Sequence, residues 1–89
     1  MELSDYRDEL DVIDREITAL FARRMEICGQ IGAFKVKRGL PVLDTGREQE
    51  KLERVANLLP EELKESGKAL FRELMRLSRD YQTELICKL

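Results

Sequence analysis

Apolar residues at Tyr6, Leu10, Ile13, Ile17, Leu20, Ile27, Ile31 and Phe34 recur at alternating four- and three-residue steps. That is the period of an α-helix whose apolar stripe is a narrow, coiled-coil-like seam. The pattern predicts one helix from about Asp5 to Arg38, capped by Ser4 or Asp5, with no proline in it and no glycine before Gly29 and Gly32. Some 34 residues at 1.5 Å each make a rod of roughly 50 Å. A compact globule of this chain length has a radius of gyration of only about 12 Å, a diameter near 30 Å. A rod of that length overruns its own protomer, and the missing half of its core is expected on a second copy. A homodimer is therefore the first inference.

The seam has one flaw. Four residues past Leu20 comes Arg24, a guanidinium where the pattern calls for an apolar side chain. A buried, unpaired charge costs several kcal/mol. Lys35 follows eleven residues later, about three full turns, so both cations project from the same side of the rod. Two such cations suggest an anionic ligand. The alternative is that Arg24 lays its stem along the seam and keeps its head in water.

Beyond the rod, Lys37 and Arg38 suit a helix C-terminus and Gly39-Leu40-Pro41 is a stop signal. Thr45 and Glu48 have the spacing of a capping box, which opens a second helix with Leu52, Val55, Ala56 and Leu59 as its apolar face. Pro60 ends that helix near Leu59 and opens a third in the favoured first position, followed by Glu61 and Glu62. The third helix is expected to run towards Cys87 on a stripe of Leu63, Leu70, Leu74, Leu77, Tyr81 and Leu85. Gly67 weakens its start, so that Glu61 to Ser66 is either frayed or a separate turn. Ser78 and Gln82 sit one turn apart beside the stripe. Arg7 lies among Asp5, Asp8, Glu9 and Asp11, where a salt-bridged surface cation explains it.

Composition narrows the function classes. At 89 residues the chain is read as a single domain, 1–89, with no room after its third helix for a regulatory domain. It is 43% hydrophobic, 38% charged and 6% aromatic, a soluble helical profile and an all-α expectation. Its net charge of −2, with bases and acids interleaved, argues against nucleic acid as a partner. No apolar run or signal-like start points to a membrane or to export, so a cytoplasmic protein is expected. Cys28 and Cys87 are too few for a disulfide framework and are read as reduced, packed thiols. With no His and no clustered Cys, neither a metal nor a haem cofactor is expected.

Together, Arg7, Arg24, Lys35, Asp44, Arg47, Glu48, Ser78 and Gln82 form an ordered set over three helices. With the stretches Arg7-Asp8-Glu9-Leu10, Ile13-Asp14, Arg23-Arg24-Met25, Ile31-Gly32-Ala33-Phe34-Lys35, Arg47-Glu48 and Tyr81-Gln82, it resembles the all-helical (AroQ) class of chorismate mutase over nearly the whole chain. The resemblance implies a three-helix protomer with a very long first helix, intertwined into a homodimer. It implies a Claisen rearrangement of chorismate to prephenate without cofactor or covalent catalysis. It also implies that Arg7 and Arg24 hold the two carboxylates, Lys35 and Gln82 face the ether oxygen, and Glu48 and Asp44 take the ring hydroxyl end. Arg47 and Ser78 complete the carboxylate shell. Arg7 and Arg24 are about 25 Å apart along one rod, whereas chorismate spans well under half of that. Arg7 is thus expected to reach the site of the other subunit, where an antiparallel partner helix brings it to Arg24. Two alternatives stand beside this reading: an isochorismate-pyruvate lyase of the same fold, and a non-catalytic helical dimerisation or regulatory module.

Overall fold

The computed structural model describes residues 1–88; Leu89, with which the single-domain reading ends, lies outside them. The chain folds as three helices, α1 (Leu3–Arg38), α2 (Thr45–Asn57) and α3 (Lys64–Cys87), with one 3₁₀ turn at Glu61–Leu63 before α3 and no strand among the described residues. None of these helices is long and apolar enough to cross a membrane.

Helix α1 begins two residues earlier than its sequence signals suggest. Glu2, not Ser4 or Asp5, is the N-cap, and the Asp5 carboxylate turns back to accept the Glu2 N–H at 2.8 Å. The acid at the third helical position closes the end that a serine was expected to close. The stop signal behaves as expected. Gly39 sits at φ 65°, a left-handed conformation that a side chain would strain, and the Leu40 N–H reaches back to the Lys35 carbonyl at 2.8 Å.

Helix α2 is capped by Asp44 rather than Thr45, its Oδ1 accepting the Arg47 N–H at 3.0 Å. Glu48 is therefore not needed for the cap, which is one residue out of register with the capping box read from Thr45. Pro60 likewise does not open α3 directly. It is the extended residue ahead of the 3₁₀ turn, and α3 starts four residues on at Lys64. Lys64 Nζ then ties off the end of α2 by donating to the carbonyls of Ala56 at 2.5 Å and Leu59 at 2.9 Å.

Contacts between α1 and α3 rise in number together, from Arg24 and Cys28 with Ser78 to Gly32 with Gln82, so the two run side by side in the same direction. Helix α2 returns antiparallel against α3, with Glu48 beside Arg79 and Val55 beside Gly67. The buried apolar side chains are few: Cys28, Leu52, Val55, Ala56 and Met75. The buried face of α3 carries Met75, Ser78 and Gln82, rotated from the leucine stripe read from periodicity. Leu74, Leu77, Tyr81 and Leu85 are half-buried, and Leu63 and Leu70 are exposed. Of the two thiols Cys28 is packed, whereas Cys87 is exposed, contrary to expectation; neither is in a disulfide.

The long rod is uncovered. All eight seam residues, Tyr6 to Phe34, are between 42% and 63% exposed, and every residue from Met1 to Leu20 is exposed. The radius of gyration is 16.2 Å, the longest dimension 54 Å, well above the roughly 12 Å expected for a compact chain of this size.

Candidate active site

A cavity of about 470 Å³ opens between the C-terminal half of α1, the start of α2 and the middle of α3. Its lining contains Arg24, Lys35, Asp44, Arg47, Glu48, Ser78 and Gln82, seven of the eight residues named from sequence. Local structure explains how they converge. On α1, Arg24, Cys28, Ile31 and Lys35 share one face by their spacing. Asp44, Arg47, Glu48 and Lys51 do the same on α2, and Ser78 and Gln82 on α3. Gly32 lets α1 and α3 approach closely behind the cavity, since a β-carbon there would stand 3.0 Å from Gln82 Cγ. The loop after Gly39 folds back over the last turn of α1, so that the Val42 carbonyl accepts from Lys35 Nζ at 2.7 Å. One of the three ammonium protons is thereby used, and two remain for a ligand.

Arg24 leaves the seam for this cavity. Its Nη1 donates to Ser78 Oγ at 2.6 Å and lies 3.8 Å from Cys28 Sγ. Of the two readings of the seam flaw, the placement agrees with an inward-facing cation at a ligand cavity rather than a head kept in water, and the head is partnered by Ser78. Ser78 is fully used: Oγ accepts from Arg24 and, at 3.2 Å, from the Cys28 thiol, and donates to the Leu74 carbonyl at 2.8 Å. One hydroxyl offers one proton and two lone pairs. Ser78 thus orients Arg24 and has no capacity left for direct contact with a ligand unless one of these bonds opens.

Gln82 is in the opposite condition. It is only 5% exposed, and its Oε1 is buried with no hydrogen-bond partner among the described residues. An unpartnered buried polar atom costs about 1–3 kcal/mol, and such atoms are rare enough in folded proteins to need a reason. Here it borders a cavity large enough for a small molecule.

Two charged residues in the lining went unread in the sequence. Arg79 forms an ion pair with Glu48, joining α3 to α2. Lys51 stands one turn beyond Arg47 and Glu48 on the same face of α2, and that i, i+4 spacing was the available signal. Five cations and two carboxylates line the cavity, a clear excess of positive charge, while the chain as a whole is negative. Arg7 is not among them. It is exposed on the uncovered half of α1, as its distance along the rod requires. No group of His, Cys, Asp or Glu among the described residues is arranged to hold a metal ion.

The chain matches the family model described as chorismate mutase type II over residues 6–83. It is 37% identical over 78 residues to the intracellular chorismate mutase of Mycobacterium tuberculosis, an alignment covering 88% of this chain and 70% of that one. It is 46% identical over 46 residues to the T-protein of Haemophilus influenzae, 52% of this chain but only 12% of the relative. A bifunctional chorismate mutase/prephenate dehydratase of Aquifex aeolicus is 39% identical over 57 residues, 64% of this chain and 16% of the relative. The chain thus spans a small fraction of the length of these last two relatives. No solved structure matches it. A family match that runs from the exposed start of α1 through the three helices lining the cavity means that the chain belongs to the chorismate mutase type II family.

Proposed function

We propose that the chain rearranges chorismate to prephenate at two sites shared between the subunits of an intertwined homodimer, each site completed by Arg7 of the opposite chain. The observation that carries this is the pairing of a cation-rich cavity with an apolar seam that its own protomer leaves open. Chorismate is a dianion, which suits the excess positive charge. Burying a Leu or Ile fully is worth about 1.5–3 kcal/mol. Eight half-exposed seam residues therefore offer on the order of 10 kcal/mol of gross gain on association.

The rearrangement breaks a C–O bond and forms a C–C bond within one molecule, and it needs no nucleophile or proton shuttle. What these residues can supply is geometry and charge. Arg24, held by Ser78, and the other subunit's Arg7 clamp the carboxylates in a compact conformer that brings the reacting carbons together. Lys35 and Gln82 face the ether oxygen, where negative charge develops as the bond breaks, and fixed donors there stabilise the transition state more than the ground state. Glu48, held by Arg79, takes the ring hydroxyl, with Asp44 at the same end and Arg47 at the carboxylates. The mycobacterial relative is named as an intracellular enzyme, which supports a cytoplasmic setting.

The test is loss of chorismate absorbance with identification of prephenate as product, followed by mixing of inactive Arg7→Ala and Lys35→Ala chains. Equal mixing makes half the dimers hybrid, each with one intact site, so about a quarter of wild-type activity should return. No recovery, with subunit exchange verified, would remove Arg7 from the shared site. Release of pyruvate from isochorismate in place of mutase turnover would favour the lyase.

A further inference from the structure

Resting on the mutase reading, we infer that Lys51 is an additional anchor for a substrate carboxylate, acting beside Arg24. The cations of the cavity are not equally free. Arg79 is paired with Glu48, Arg24 has one Nη engaged by Ser78, and Lys35 donates to Val42, while Arg47, whose side chain is also unbonded, is exposed. Lys51 is half-buried in the same lining and forms no ion pair or side-chain hydrogen bond among the described residues. Its place follows from helical spacing, because Glu48 and Lys51 lie about one turn apart on α2 and share a face that begins at the capping Asp44.

Burial, and then the like charges of Arg47, Arg54 and Arg24, push the Lys51 pKa below the ordinary lysine value. From α1 the cavity also brings Lys35 and the Cys28 thiol, from α2 the carboxylates of Asp44 and Glu48, and from α3 Arg79. A cation among cations, with no acid of its own, is a poor structural element, and a carboxylate placed between Lys51 and Arg24 relieves both. A bound carboxylate favours the ammonium and raises the pKa back. Binding must therefore take up protons in the window between the lowered and the restored value, and affinity must fall as pH rises through the lowered one.

The experiment compares wild type with Lys51→Met, which keeps the stem and removes the charge, and Lys51→Arg, which keeps the charge beyond the reach of the titration. For chorismate, Lys51→Met should raise KM about tenfold, the size of one modest charge-assisted contact, with kcat little changed. Lys51→Arg should keep KM near wild type and flatten its alkaline rise. Calorimetric titration with prephenate, in buffers of different ionisation enthalpy, should show alkaline proton uptake in wild type that both variants lack. KM, prephenate affinity and proton uptake all unchanged in Lys51→Met would overturn the inference while leaving the mutase reading intact. A wild-type chain that turns over no chorismate would defeat the mutase reading instead, and the prephenate titration would still decide whether Lys51 holds a dicarboxylate.

Discussion

The two halves of α1 carry the same apolar period and meet different fates. From Phe21 onward the helix packs on α3, buries Cys28 and Gly32, and turns Arg24 and Lys35 into a cavity. Before Phe21 every residue is exposed, and the seam is more regular, with no charged interruption. Periodicity thus specifies that a face must be covered and says nothing about what covers it. The flawed half is the one with a site, because a charge in an apolar stripe is tolerated only where something else, here Ser78 and a ligand cavity, accounts for it.

The sharpest way to break this comparison is to place a charge in the regular half. Ile13→Glu should dissociate the proposed dimer and with it nearly all activity, since an unpaired carboxylate in an apolar interface costs several kcal/mol. Analytical ultracentrifugation reads the outcome, and a fully active monomer would mean that the first half of α1 has no partner to lose.

Next in size, Arg24→Ala in the flawed half should cut kcat/KM on the order of a thousandfold, the range seen when a single transition-state donor is lost. Stability should move little, by about 1 kcal/mol, because the hydrogen bond to Ser78 is lost but an apolar residue completes the seam. Clear destabilisation in thermal melting, with activity near wild type, would make Arg24 a structural residue and erase the distinction between the halves.

The smallest effect sharpens the role of α3. Gln82→Glu should be active only at low pH: the amide donates to an ether oxygen at any pH, a carboxyl group only when protonated, and an ionised one repels the charge developing there. Burial would raise the new group's pKa and Lys35 would lower it. Activity should fall as pH rises through that value, while wild type shows no matching limb. Equally flat profiles of kcat/KM would take Gln82 away from the ether oxygen.

Much of this was legible because it is local. The α1 rod, its Gly39 stop, the three-helix order and the misfit of Arg24 all follow from spacing within a few turns. The cap of α2 was read one residue late, since Thr45 and Asp44 are both good caps and only the Asp44 contact to Arg47 decides between them. That shift changes how Glu48 is read, because an acid apparently occupied in a cap is instead paired with Arg79 from another helix. The saturation of Ser78, the orphaned Gln82 oxygen and the isolation of Lys51 depend on which side chains come together across helices. No period along one chain encodes that. The leucine stripe of α3 was misplaced for the same reason: within the protomer the packed face is the polar one, carrying Ser78 and Gln82, and part of the apolar face is left outside.

Continuity of α1 has a mechanical consequence. In the proposed dimer a single unbroken helix carries Arg24 and Lys35 of one site and, about five and eight turns from them, the Arg7 that closes the other. With no proline in that helix, a tilt or slide of the rod as one site grips its substrate would be passed on to the second. The proposed dimer thus predicts two sites that are coupled. Whatever free energy one occupied site contributes to ordering the rod, the other must feel in equal measure, so a pair of catalytic centres sharing a beam should communicate without any dedicated regulatory domain.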